Sequence, residues 1–162
     1  MSKKFSVSYD IPADVETTFA AISSDGWAAA KAAKLNDGSE VVKREESGGG
    51  VTLVVSRKLP DGIPGFLQKI LPADGRVTQT DVWAAAKDGT RTGTWKADTP
   101  GSPAKVAGTM RLEPAASGCT YVVEGEVKVS VPLIGGKAED VAVGMTKKLT
   151  SSEAEVLRGM VS

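Results

Sequence analysis

The segment that most constrains how this chain folds is its last long one. From Lys137 to about Met160 there is no proline, and Val141, Met145, Leu149, Val156 and Met160 recur at spacings suited to one helical stripe. Glu139, Asp140, Lys147, Lys148, Glu153, Glu155 and Arg158 are expected on the rest of that helix. From about residue 39 to this helix the chain reads as strands, except for the proline-bounded segment 60–72, where Phe66 to Leu71 could make one or two helical turns. An amphipathic helix of this length must lay its stripe on something, and a sheet with one apolar face must be covered. Each requirement answers the other.

The strands are read from period-two alternation. Phe5, Val7 and Tyr9 alternate with Ser6, Ser8 and Asp10. Asp14 is a candidate helix N-cap, and Val15, Phe19 and Ile22 follow on one helical face. Ser24-Asp25-Gly26 breaks that helix. A second, alanine-rich one is expected from Trp27 to about Leu35, stopping at Asn36-Asp37-Gly38. Residues 39–46 and 51–59 flank Ser47-Gly48-Gly49-Gly50 and read as a hairpin. Further strands are expected at about 76–86, 91–98, 104–113 and 119–131, separated by Asp88-Gly89, Pro100-Gly101-Ser102-Pro103 and Ser117-Gly118. In the last of these Tyr121, Val123, Val127, Val129 and Val131 share one face, with Glu124, Glu126, Lys128 and Ser130 on the other.

The expected architecture is therefore α+β: a curved antiparallel meander of about seven strands wrapped around the C-terminal helix, with two short helices after the first strand. Residues 1–162 read as one domain, without internal repeat or linker.

Composition narrows the function. Lys+Arg and Asp+Glu stand at 20 each, and no basic stripe is present, so nucleic acid is not the expected partner. No stretch approaches the roughly 18 apolar residues of a transmembrane helix. The start of the chain runs directly into alternating residues, and a lone Cys119 offers no disulfide, so a cytoplasmic location is expected. The chain has no histidine, which removes Ser-His-Asp and Cys-His nucleophile systems and His-ligated zinc. Neither a cofactor nor a metal is expected. Gly48-Gly49-Gly50 and Gly135-Gly136 lack the phosphate-loop arrangement; the second pair reads as a tight approach that lets the helix fold back over the sheet.

Two segments resemble a known family. Tyr9-Asp10-Ile11-Pro12-Ala13-Asp14-Val15-Glu16, with Phe19, resembles the opening of START-like (SRPBCC) proteins, the superfamily of polyketide cyclases, lipid-transfer domains and the birch pollen allergen. Val131-Pro132-Leu133-Ile134-Gly135-Gly136-Lys137-Ala138-Glu139, with Trp83 and Gly101-Ser102-Pro103 followed by Gly108, is similar to a bacterial branch of that superfamily without an assigned activity. The resemblance implies the helix-grip fold and a cavity between sheet and helix that takes lipids, sterols, polyketides or hormones. It implies a class of ligand and no particular one.

Candidate site residues follow from the alternation. Trp83 and Trp95 on neighbouring strands would line a cavity wall, Met110 and Met145 would meet at the sheet–helix interface, and Val127, Val129 and Leu149 would complete the lining. For each, ordinary core packing is the competing reading. The proline-bounded segment 60–72 carries Phe66, Leu67, Ile70 and Leu71 and is either a lid or a permanent plug. Apolar contact of its tip with a membrane surface is a further reading. Asp81 shares the face of Trp83 and Gln79; with Tyr121 or Arg57 it is the acid–base set open to the chain, unless the alternation slips and leaves it in solvent. Cys119 reads as structural.

Three functions compete. The first is binding or carriage of a small lipophilic molecule. The second is a cyclase-, aromatase- or hydrolase-type enzyme using Asp81 or Tyr121. The third is a filled protein-interaction module, for which the oligomeric state is open.

Overall fold

The computed structural model describes residues 2–72 and 74–162. The elements run β1 (Lys3–Ile11), α1 (Val15–Ile22), α2 (Asp25–Leu35), β2 (Glu40–Ser47), β3 (Gly50–Lys58), a 3-10 turn (Gly65–Ile70), β4 (Arg76–Trp83), β5 (Arg91–Asp98), β6 (Ala104–Ala115), β7 (Gly118–Val129) and α3 (Gly135–Val161). One seven-stranded antiparallel sheet has the order β1-β7-β6-β5-β4-β3-β2. The expected α+β meander gripping a final helix is the observed fold.

Local chemistry sets the boundaries. Asp14 caps α1 by accepting a hydrogen bond from the Thr17 amide at 2.8 Å. Asn36 ends α2 in the left-handed conformation. Gly48 and Gly49 both take positive φ, 56° and 83°, the requirement of the two-residue turn that joins β2 to β3. β4 is three residues shorter than the alternation suggested, ending at Trp83.

Directly opposed residues share a face. The register Leu53–Asp81–Trp95–Gly108–Gly125–Phe5 crosses six strands, and Val51–Trp83–Gly93–Met110–Val123–Val7 runs beside it. Both rows lie on the concave, core-facing side. Gly108 and Gly125 let this face close up. A Cβ on Gly108 would collide with the Glu124 carbonyl, and one on Gly125 would lie 2.7 Å from the rings of Phe5 and Trp95. Trp95 lies in the space they leave, and its indole N–H donates to the Glu124 carbonyl at 3.2 Å.

One end of the sheet is closed by α1 and α2. Arg91, at the start of β5, ties that end together. Its guanidinium donates to both Glu16 carboxylate oxygens at 2.9 and 2.8 Å and to the carbonyls of Gly49 and Ala84 at 2.7 and 3.0 Å. It also stacks 3.7 Å from the centroid of Phe19. A lysine cannot reproduce this fork. R91K is therefore expected to cost about 2–3 kcal/mol in urea unfolding, since the two carbonyls lose a charged donor. A loss below about half a kcal/mol would show that the α1 end is held by packing alone.

α3 lies across β1 and β7, and its burial departs from expectation. The helix is turned about its axis so that Ala138, Glu139, Thr150, Glu153, Ala154, Val156 and Leu157 are buried. Glu139 and Glu153, expected in solvent, are inside. Met145 and Leu149, expected on the innermost stripe, are only half-buried. The cause is that the two carboxylates have buried partners, described below, which outweigh the apolar pattern. Over residues 140–149, nearly three turns, no residue of α3 is buried. Its fully buried residues lie at its two ends, and between them Val141, Ala142 and Val143 rest half-buried against the core.

Candidate functional site

The concave face carries more polar chemistry than a sealed core needs. Asp81 alternates inward as the parity of β4 predicts and is only 7% exposed. The alternative of a slipped register does not occur. Its Oδ1 accepts from Gln79 Nε2 at 2.9 Å, and Gln79 Oε1 accepts from Arg57 Nη1 at 2.6 Å. The Gln79 amide thus relays between an acid and a guanidinium. Burial pushes the Asp81 carboxyl up to about 6, against the opposing pull of the Gln79 hydrogen bond and the Lys31 and Arg57 charges.

A second polar group crosses the space from the helices. Lys31 of α2, 2% exposed, donates to Glu153 Oε2 of α3 at 2.8 Å and stands 5.3 Å from the Trp27 ring. Tyr121 of β7 is buried nearby. Burial first, then the charges of Glu153 and Asp81, push its hydroxyl well above its ordinary range. Tyr9 shares a hydrogen bond with Thr150 Oγ1 at 2.8 Å, and its ring is 6.4 Å from that of Tyr121. At the same end of the sheet Trp83, packed edge-on against Phe19, has an indole nitrogen without a hydrogen-bond partner among the described residues.

Towards the other end the concave face is less covered. Gln79, Ala97 and Val106 point inward yet remain half-buried. They lie at the end of the sheet that carries the β3–β4 connection. There Leu67 is buried, while Ile63, Phe66 and Ile70 rest partly buried on the core. Lys137, at the start of α3, sits 4.8 Å over the Phe66 ring. The segment is held by a few apolar side chains and one cation–π contact.

The sequence candidates divide as follows. Trp83, Trp95, Met110, Val127 and Val129 are buried together on the concave face with Asp81, Arg57 and Tyr121. Phe66, Leu67 and Ile70 cover the opposite end from α1. Met145 and Leu149 lie within the half-buried stretch of α3. The alternation did not reveal the Lys31–Glu153 pair, whose members stand 122 residues apart. Glu139 was also missed. Its Oε2 accepts from the Val129 amide at 2.9 Å, which anchors the start of α3 to the end of β7. Cys119 donates to Thr18 Oγ1 at 3.3 Å, and burial raises its thiol, the setting of an unreactive cysteine. Among the described residues no three Cys, Asp or Glu side chains converge as a metal site requires, and no helix is long and apolar enough to cross a membrane.

Two surface hollows lie apart from this cluster. One, of about 490 Å³, is lined by residues 59–63, Gln68, Leu71, Pro72 and Gly75, on the β3–β4 connection itself. The other, of about 480 Å³, lies over β4–β6 and is lined mainly by Val82, Thr92, Thr94, Thr109 and Arg111. Neither is lined by Asp81, Trp83 or Tyr121.

Solved structures share this arrangement at low identity. The protein TTHA0849 from Thermus thermophilus is 16% identical, with a TM-score of 0.66 over 98% of this chain and 97% of that one. A norcoclaurine synthase point mutant from Thalictrum flavum, in complex with a transition-state analogue, is 13% identical, with a TM-score of 0.63 over 99% and 94%. The di-domain ARO/CYC StfQ from the steffimycin biosynthetic pathway is 11% identical, with a TM-score of 0.67 over 99% of this chain and 50% of that one. These likenesses establish the helix-grip fold that the sequence resemblance implied. No curated protein matches the sequence. A family model does, over residues 6–161: the chain belongs to the family described as protein of unknown function DUF2505.

Proposed function

We propose that this protein binds a small, mainly hydrophobic molecule between the concave face of the sheet and the middle of α3, beneath the segment 63–71. The observation that carries this reading is the unsealed stretch over residues 140–149. A helix that served only to complete a core would bury its central turns first and leave its ends to fray. Here the fully buried residues are at the ends, while the middle is only half-buried, with Val141, Ala142 and Val143 against the core and Met145, Thr146 and Leu149 beyond them. On the same concave face, on the strands beside those that α3 crosses, lie Ala97 and Val106, small or apolar and half-covered, and the polar set of Asp81, Gln79 and Arg57, with Tyr121 on β7. Apolar walls with a few convergent polar groups are the usual make-up of a small-molecule site. The segment over it acts as a lid, whose opening exposes Leu67 together with the half-buried Ile63, Phe66 and Ile70, a cost of several kcal/mol that ligand binding offsets. What the neighbouring proteins of this fold bind or catalyse, by their names, is in keeping with such a site.

Native mass spectrometry of the freshly purified protein, with organic extraction, tests this directly. A bound lipophilic species of defined mass is expected. An apo mass together with failure to take up any of a panel of lipophilic fluorophores would end the reading.

One observation favours catalysis as the second reading. Asp81 is a buried acid raised to about 6, and its charge reaches the buried Tyr121 hydroxyl, which is a setting for general acid–base work. The D81N variant separates the two. A carrier yields the same extracted species from wild type and variant. An enzyme yields a different, unconverted species from D81N.

A further inference from the structure

Arg57 is the buried cation of the concave face without a carboxylate in direct contact. It is 8% exposed, and its hydrogen bond goes to the neutral Gln79 amide. Lys31 has Glu153, and Arg91 has Glu16. No carboxylate pairs with Arg57 among the described residues. Asp81 is turned towards Gln79 Nε2 and reaches Arg57 only through that amide. A guanidinium taken from water without an anion is costly, and proteins ordinarily pair it. Arg57 stands at the last inward position of β3, facing the same space as Gln79 and Val55. The connection that carries Leu67 begins just beyond it.

We infer that Arg57 is the anchor for an acidic head group, and that the ligand is an amphipathic carboxylic acid. Its carboxylate takes the free edge of the guanidinium, and its apolar body runs under α3 towards Ala97 and Val106. The planar fork of arginine matches a carboxylate with two parallel hydrogen bonds, which a point charge does not. The Gln79 relay fits this role. By presenting its oxygen to Nη1 it fixes the guanidinium plane, leaving the other N–H groups for the ligand. Its nitrogen is committed to Asp81, so Gln79 cannot turn to offer the ligand a donor in place of Arg57. This inference rests on the binding site proposed above and adds the chemical class of what enters it.

The test uses the naturally fluorescent cis-parinaric acid and its methyl ester, titrated into the full-length protein at about pH 7.5 in low salt, where a carboxylic acid is ionised. The acid is expected to bind about tenfold or more tightly than the ester, the margin of a charge-assisted pair in a partly dry site. R57M is expected to bring the acid down to the affinity of the ester. R57K, which keeps the charge and loses the fork, is expected to fall between the two. Should the variants not fold, the acid–ester comparison on the wild-type protein decides alone. Equal affinities for acid and ester would overturn the anchor while leaving the hydrophobic site in place. Binding of neither would remove the site as well.

Discussion

Replacing Asp81 with asparagine raises the melting temperature of this protein at about pH 8 and changes it little at about pH 4, as expected where a carboxylate is held inside the sheet at a cost. The folded-state value is about 6, against 3.8 for the unperturbed group, and burial is the main cause. Between these values the native state holds a proton that the unfolded chain has released. Stability is then fully present below pH 3.8 and is lost as pH rises through about 6. At about pH 8 the whole penalty applies: about two pH units at roughly 1.36 kcal/mol each, or about 3 kcal/mol. Asparagine has nearly the same shape, is never charged, and still offers an oxygen to Gln79 Nε2. The expected gain at about pH 8 is about 5–10 °C in a chain of this size. Thermal melts of both proteins across that pH range check it. A gain of equal size at both extremes would assign the effect to packing, and a loss at the alkaline end would mean that the carboxylate is compensated by its neighbours.

The second large effect concerns the Lys31–Glu153 pair. K31M or E153L alone is expected to cost about 3–5 kcal/mol, since each leaves one buried charge without its partner. The double variant K31M/E153L is expected to recover most of that loss, because two apolar side chains of similar length then meet between α2 and α3. Urea unfolding of the four proteins closes a double-mutant cycle. Single losses under about 1 kcal/mol, the size typical of an exposed pair, would contradict the burial of these groups. K31M carries a second consequence. The Lys31 charge helps hold the Asp81 carboxyl down, so its removal moves the pH dependence described above to still higher pH.

The alternation in the strands was enough to place Asp81, Gln79 and Trp83 on the inner face. β4 runs without a bulge, so period two carries from one end to the other. In β2, by contrast, the register shifts between Val41 and Lys43, and Arg44 turns inward to reach the Ser23 carbonyl at 2.7 Å. Nothing in that charged stretch announces it. α3 was legible as a helix and misread in rotation. Apolar spacing placed Met145 and Leu149 innermost, but Glu139 and Glu153 are drawn inside by an amide in β7 and a lysine in α2. Partners that far away leave no mark in local periodicity. Arg91 was unremarked for the same reason: the groups it gathers, from Glu16, Gly49 and Ala84, come together only once the sheet has closed.

The two-ended burial of α3 makes it, in mechanical terms, a beam on two supports. One support is residues 135–139 against the end of β7, and the other is residues 150–157 against β1 and the two short helices. A beam held this way can be altered at midspan without disturbing its bearings. Substitutions at Met145, Thr146 and Leu149 would reshape the space beneath while leaving the supports intact. Relatives built on the same plan could therefore diverge in what they hold at little cost to how well they stand.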